Sequence, residues 1–301
     1  NTFMGTHILV PKEGIAVHIN AFNFPVWGML EKIAVNLLAG MPCVVKPATV
    51  TSYLTEAVVK EIIASKILPE GSLQLLCGGA GDILRENVPF NMEADSLNCI
   101  VLGEDVTPEK PEWNIFIKEV RKEMTLKAGQ RCTGIRRIFV PENKMEDVWK
   151  DISTSLAQTT IGNPLNATVR MGSLAGHTQR NEVKEQVQKL LASSQMIYGS
   201  LDSVEVIDAD AGKGAFMSPV LLMNNLPWAT APGYTTNPSH EVEAFGPVST
   251  IMPYKKTEEA VALSKLGKGS LCSTIVTADY IIARQYVIGA ATHHGRILVL
   301  N

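Results

Sequence analysis

The chain has 301 residues, 46% hydrophobic and 19% charged, with a formal net charge of −3. That length predicts about two domains. The mixed charge, with no basic run, argues against a nucleic-acid partner, and the short apolar runs, broken by charge or glycine, argue against a membrane span.

No secretory leader is visible, although Asn1 reads as a cut rather than a natural start. The five cysteines, Cys43, Cys77, Cys99, Cys132 and Cys272, are odd in number and widely spaced. They form neither a disulfide framework nor a zinc pattern, so a reducing cytoplasm is expected.

The run 14–19 reads as a strand, and 29–38 has helical spacing that stops at Gly40. A short buried strand at 43–46 ends at Pro47, and an amphipathic helix follows at 52–65, with Leu54, Val58, Ile62 and Ile63 on its apolar stripe. A turn at Pro69-Glu70-Gly71 leads to a strand at 73–77. This alternation implies a parallel, doubly wound sheet. Between Gly81 and Glu93 there is little room for the next crossover helix. A second α/β part then begins near Ala94, with strands at 96–102, 136–140, 216–223, 248–254, 271–276 and 297–300. Its helices are expected at 111–128, 145–156, 177–191, 258–266 and 280–290. Trp113, Phe116, Ile117, Val120 and Met124 face inward on the first of these.

Cys132 lies in Gly129-Gln130-Arg131-Cys132-Thr133, just past a helix end. A reactive thiolate needs an accessible, electropositive setting, and a glycine-rich loop supplies unpaired backbone N–H groups. An isolated cysteine is more often an inert core residue, and the other four, inside apolar strands, are read that way. Asn23 precedes Phe24-Pro25. Proline disfavours helix at Phe24, giving a rigid extended turn in which a lone asparagine is usually a turn residue. Lys46 ends a buried strand, where doubly wound sheets bind ligands, the plainer reading being a solvent-exposed strand end. Glu93 by itself is an exposed loop acid, with Asp95 as a rival carboxylate. Glu243-Ala244-Phe245-Gly246-Pro247-Val248 alone is a hairpin signal. Gly78-Gly79-Ala80-Gly81 resembles a phosphate loop but no helix clearly follows, so it is read as a turn. His293-His294 beside Gly295 is read as a helix end rather than a metal site.

In this order, Ala21-Phe22-Asn23-Phe24-Pro25, the Gly129–Thr133 segment and Glu243–Val248 resemble the aldehyde dehydrogenase superfamily. The resemblance runs from about Gly14 to Asn301. It implies two Rossmann-like, doubly wound α/β domains: an incomplete NAD(P)-binding domain over 1–93 and a catalytic domain over 94–301 carrying the cysteine nucleophile. By the same resemblance Cys132 attacks an aldehyde carbonyl to give a thiohemiacetal. Asn23 joins the Cys132 N–H in holding the oxyanion. Glu93 is the general base that hydrolyses the thioester, although Ala94 and Asp95 replace the glycines that usually follow it. Lys46, Pro47 and Thr49 lie on the adenosine ribose side of the cofactor, and Glu243 and Phe245 on the nicotinamide side. Many members place glutamate where Thr49 stands. Threonine does not repel a 2′-phosphate, so NADP is expected over NAD.

The segment 17–32, together with 92–98, 119–133 and His294-Gly295-Arg296, is similar to the dehydrogenase domain of the bifunctional proteins of phenylacetate degradation. The implied substrate is 3-oxo-5,6-dehydrosuberyl-CoA semialdehyde, with 3,4-dehydroadipyl-CoA semialdehyde of benzoyl-CoA degradation as the alternative. A hydratase-like domain is expected beyond Asn301, and a homo-oligomer as the full-length protein. The strand, turn and helix that cradle the pyrophosphate should lie between Gly81 and Pro89 and are missing there. An inert fragment of such an enzyme is therefore the remaining alternative.

Overall fold

The computed structural model of the chain describes residues 14–77, 95–224 and 237–301. The glycine turn at 78–81, the shortened segment 81–89 and Glu93 lie outside the described residues. The chain divides into two compact units, Asn1–Asn91 and Met92–Asn301.

In the first unit, β1 (Ala16–Ile19), α1 (Trp27–Leu38), β2 (Cys43–Lys46), α2 (Ser52–Ala64) and β3 (Leu73–Leu75) follow in turn. The strands form a parallel sheet in the order β1-β2-β3. Helix α1 starts two residues earlier than its apolar spacing indicates. The Gly28 N–H donates to the Phe24 carbonyl and the Leu30 N–H to the Val26 carbonyl, so the turn after Pro25 runs straight into the helix. Gly40, at φ 78°, ends that segment in a left-handed conformation that glycine adopts freely. Met29, Ile33, Cys43, Val45, Val59 and Leu73 form the core. Ile19 pairs with Lys46, so β1 and β2 end together. The residues after β1 and the end of β2 therefore share the carboxyl edge of this sheet.

The second unit contains β4 (Cys99–Leu102), α3 (Pro111–Thr125), β5 (Arg137–Pro141), α4 (Met145–Ala157), α5 (His177–Leu190), β6 (Gln195–Tyr198), β7 (Val220–Met223), β8 (Val248–Tyr254), α6 (Thr257–Lys265), β9 (Ser270–Val276), α7 (Tyr280–Ala290) and β10 (His294–Leu300). The seven-stranded sheet has the order β10-β9-β4-β5-β8-β7-β6. All its pairings are parallel except β6 with β7. It is doubly wound, starting at β4 and extending both ways. Successive side chains of a strand point to opposite faces. Ile100, Leu102, Ile138 and Val140 accordingly pack with Trp113, Phe116, Ile152 and Leu156 of α3 and α4. Cys99, Val101 and Phe139 pack with Leu263, Tyr286 and Ala290 of α6 and α7. Burial on both faces is why these strands read as continuous apolar runs.

Several bounds differ from the sequence reading for local reasons. The strand expected from Phe216 begins at Val220, since Pro219 has no N–H to donate to a ladder. Phe216 and Met217 still enter the core. The helix expected through Ala128 ends at Thr125, because Lys127 and Ala128 take φ of 54° and 52°. Edge strand β6 was not anticipated, its four residues being too few to show a period. Of the histidine pair, His293 closes the 3-10 turn that follows α7, as expected of a helix end, whereas His294 opens β10 and pairs with Ser270.

Arg137 is fully buried on β5. It donates to the carbonyls of Leu97, Leu263 and Ser264 and to His240 Nδ1, 3.1 Å away. Arginine only donates, so the His240 proton sits on Nε2. Burial, then the Arg137 charge, lowers the His240 pKa to about 3. A histidine held neutral in the fold contributes stability that is present above its unfolded pKa and is lost as pH falls below it. Going from pH 7 to pH 5 should therefore cost about 2 kcal/mol through this residue. Urea unfolding of the chain and of His240→Gln checks this: the variant should lose less stability over the same interval, and equal losses would remove His240 as the cause.

Candidate active site

In the second unit the sequence motifs converge at the amino ends of neighbouring parallel strands. Residues 95–98 lead into β4, 129–136 into β5 and 243–247 into β8, while Cys272 lies near the start of β9. Strands β9, β4, β5 and β8 are adjacent in that order, so loops distant in sequence meet along one sheet edge.

Cys132 is partly exposed on this edge. Its carbonyl accepts from Asn98 Nδ2 at 2.7 Å, and the same amide donates to the Gly134 carbonyl at 3.0 Å. The Cys132 N–H makes no hydrogen bond among the described residues. Three consecutive left-handed residues, Lys127, Ala128 and Gly129, precede it, with φ of 54°, 52° and 70°. Gln130 secures this turn: its Nε2 donates to the Lys127 carbonyl at 2.9 Å and its Oε1 accepts from the Ala175 N–H at 2.9 Å. Arg131 pairs with the buried Glu123 of α3. A Cβ on Gly129 would stand 2.7 Å from the Pro247 nitrogen and closer still to the Gly246 carbonyl. The two motif glycines thus bring their backbones into direct apposition.

Cys272 and Cys77 depart from the expectation that both are core residues. Cys77 is exposed, two residues past the end of β3. Cys272 is half-buried against the Cys132 loop, its thiol 3.6 Å from the Thr133 carbonyl and 3.5 Å from Asn98 Oδ1. Burial pushes the Cys272 thiol up, against the opposing effect of Arg296. Cys43 and Cys99 are buried as expected.

The Glu243 side chain is also buried, and both its oxygens are engaged within the unit. Oε1 accepts from Arg136 Nε at 2.9 Å and Oε2 from the Ser96 N–H at 2.8 Å. Burial raises its pKa, while the Arg136 charge and the Ser96 N–H pull it back. Phe245 lies under the Arg136 guanidinium, 5.3 Å from ring centroid to Cζ, and its carbonyl accepts from Gln179 Nε2 at 3.0 Å. The sequence reading missed Arg136 and Asn98. The available signal was the arginine pair that opens the apolar run Arg136-Arg137-Ile138-Phe139-Val140.

In the first unit, Asn23 sits in the turn between β1 and α1, where Phe24 and Trp27 meet edge to face at 5.6 Å. Lys46 is buried rather than a solvent-exposed strand end, and its Nζ donates to the Pro47 carbonyl at 2.9 Å. Thr49 is exposed and opens a short 3-10 turn ahead of α2. Beside them, the Asn20 N–H donates to the Lys46 carbonyl at 3.0 Å. Both polar atoms of the Asn20 side chain are buried without a hydrogen-bond partner among the described residues. Buried amides are almost always satisfied, so this edge has unused capacity for a polar ligand. Among the described residues no group of histidine, cysteine and carboxylate side chains could hold a metal ion, and no helix is long and apolar enough to cross a membrane.

Comparison with solved structures finds a betaine aldehyde dehydrogenase from Staphylococcus aureus, in complex with NAD+, at a TM-score of 0.81 and 18% identity. That match covers 95% of this chain and 59% of the other. An NADP-dependent enzyme from E. coli matches at a TM-score of 0.77 and 17% identity, over 95% of this chain and 61% of that one. Among relatives by sequence, a 3,4-dehydroadipyl-CoA semialdehyde dehydrogenase from Aromatoleum evansii is 37% identical across the whole of this chain. The chain spans 63% of that relative. The alignment runs over 329 positions against 301 residues, so the relative carries segments that this chain lacks. Protein MaoC from Klebsiella aerogenes is 41% identical over 133 residues, 44% of this chain and 36% of MaoC. The family model described as "Aldehyde dehydrogenase family" matches residues 3–95 and 106–293, and the chain therefore belongs to the aldehyde dehydrogenase family.

Proposed function

We propose that this chain is the dehydrogenase part of an enzyme that oxidises a CoA-linked semialdehyde to its acid, with NADP as acceptor. The observation that carries this reading is the nucleophile loop: Cys132 is partly exposed, its carbonyl is held by Asn98, and its N–H is unpaired among the described residues. The Cys132 sulfur adds to the aldehyde carbon, and the resulting oxyanion takes a hydrogen bond from the Cys132 N–H. Asn23 is proposed as the second oxyanion donor. Glu93 is proposed as the base that removes a proton from the water hydrolysing the thioester.

The bound nicotinamide supplies a hydride acceptor. Lys46, Pro47 and Thr49 are the proposed holders of its adenosine side, and the unsatisfied Asn20 amide on that edge fits a polar ligand. Glu243 and Phe245 are proposed for the nicotinamide side, where a ribose contact requires the Glu243 carboxylate to share or exchange its bonds to Arg136 and Ser96. The match to the Aromatoleum enzyme, over the whole of this chain and 63% of that protein, favours 3,4-dehydroadipyl-CoA semialdehyde as substrate. The motif residues 17–32 favour 3-oxo-5,6-dehydrosuberyl-CoA semialdehyde. The MaoC match supports a hydratase-like partner domain in the longer protein, which we propose to be a homo-oligomer in the cytoplasm.

The test is reduction of NADP and NAD by the chain, and by the longer protein that contains it, with each semialdehyde in turn. NADP should be preferred, and Thr49→Glu should move the preference toward NAD by placing a carboxylate against the 2′-phosphate. Equal use of the two cofactors would defeat the threonine argument. Absence of aldehyde-dependent reduction in both proteins would defeat the dehydrogenase reading.

A further inference from the structure

Arg136 is absent from every motif that marks this family in the sequence, yet its guanidinium joins the two that lie in the second unit. Its side chain is 4% exposed. Nε donates to Glu243 Oε1 at 2.9 Å and Nη1 to the Gly246 carbonyl at 3.0 Å. Nη2 donates to the carbonyls of Gly129 at 2.9 Å and Arg131 at 3.1 Å. The four acceptors come from two loops more than a hundred residues apart in sequence. The remaining Glu243 oxygen holds the Ser96 N–H, three residues beyond Glu93.

The loop that receives two of these bonds is strained. A non-glycine residue in the left-handed region costs about 1–2 kcal/mol, and Lys127 and Ala128 both adopt it. Such conformations persist only where the surroundings over-determine them. The Arg136 bonds to Gly129 and Arg131 supply that constraint on the carboxyl side of the turn, as Gln130 does within it.

We infer that Arg136 is a positioning residue: its planar fork locks the Cys132 loop, the 243–246 loop and the strand entry after Glu93 into one geometry. The inference rests on Cys132 being the nucleophile. Shape is decisive here as well as charge. A lysine keeps a positive charge opposite Glu243, but a single ammonium cannot span four acceptors arranged around a planar guanidinium.

The test is the rate of iodoacetamide labelling at each cysteine, mapped by mass spectrometry, in the unsubstituted chain, Arg136→Lys and Arg136→Gln. Cys99, 1% exposed, reports whether the unit stays folded, and the exposed Cys77 reports the reagent. A released loop no longer holds the sulfur in one accessible setting. Labelling of Cys132 should therefore slow about tenfold or more in Arg136→Lys, with Cys77 and Cys99 unchanged. In aldehyde turnover, kcat should fall about 100-fold while KM stays within about threefold. Labelling of Cys132 at the unsubstituted rate in Arg136→Lys would overturn the inference, leaving Arg136 as a counter-ion only. Exposure of Cys99 in both variants would also overturn it, making Arg136 a residue of the fold. Labelling requires neither cofactor nor aldehyde. Slowed labelling in a chain without aldehyde turnover would thus keep the positioning role and remove the dehydrogenase reading.

Discussion

Gly129→Ala is expected to abolish the proposed aldehyde turnover by displacing the Cys132 loop, with no change in charge. Two effects add at this position. The residue sits at φ 70°, where a Cβ costs about 1–2 kcal/mol. The new methyl would also stand 2.7 Å from the Pro247 nitrogen and nearer to the Gly246 carbonyl, both backbone atoms that cannot rotate away. Overpacking of this kind costs about 1–3 kcal/mol, giving a total of about 3 kcal/mol unless the loops part. Parting them separates Gly129 from Gly246 and breaks the Arg136 bonds that span the two. A reacting group misplaced by about 1 Å can lose about 100-fold in rate. We expect kcat to fall by about that factor or more, together with slower Cys132 labelling and a lower urea midpoint. Gly71 is the informative control. It also has a positive φ, 80°, but a Cβ there would meet nothing within 4 Å, so Gly71→Ala should show the backbone cost without loss of turnover. Equal behaviour of the two variants would mean that apposition of the glycines is irrelevant to the site.

The second large effect separates the two halves of the proposed chemistry. Cys132→Ser should lower turnover by about a thousandfold or more, because a hydroxyl without an adjacent base is a poor nucleophile. Neither a burst nor steady-state reduction of the cofactor should remain. Glu93→Gln should behave differently: the thioester still forms, but no base activates the water. A pre-steady-state burst of reduced cofactor, stoichiometric with active chain, should survive in this variant while steady turnover is lost. Measured in the longer protein, a burst in Cys132→Ser would transfer the nucleophile role to another residue. Unchanged turnover in Glu93→Gln would remove that carboxylate from the mechanism and return attention to Asp95.

The sequence alone determined most of what depends on local order. Helical spacing placed Trp113, Phe116, Ile117, Val120 and Met124 on the buried side of α3, where they are found. Continuous apolar runs marked strands β4, β5 and β8 because parallel strands buried on both faces need apolar residues at every position. Short ordered motifs marked the family, since glycine and proline at fixed offsets dictate backbone conformations that few sequences supply.

Tertiary structure decided what those motifs do to one another. Strand order in the sheet brings the loops before β4, β5 and β8 to one edge, and no periodicity encodes that order. Arg136 and Asn98 became visible only there. Apart from the Glu243 carboxylate, the groups they donate to are carbonyl oxygens, which every residue carries, so the loops they bridge could not be identified from side-chain chemistry alone. The burial of Glu243 and the exposure of Cys77 follow from the same cause. Each is set by which segments pack over it, a property of the folded chain rather than of neighbours in sequence.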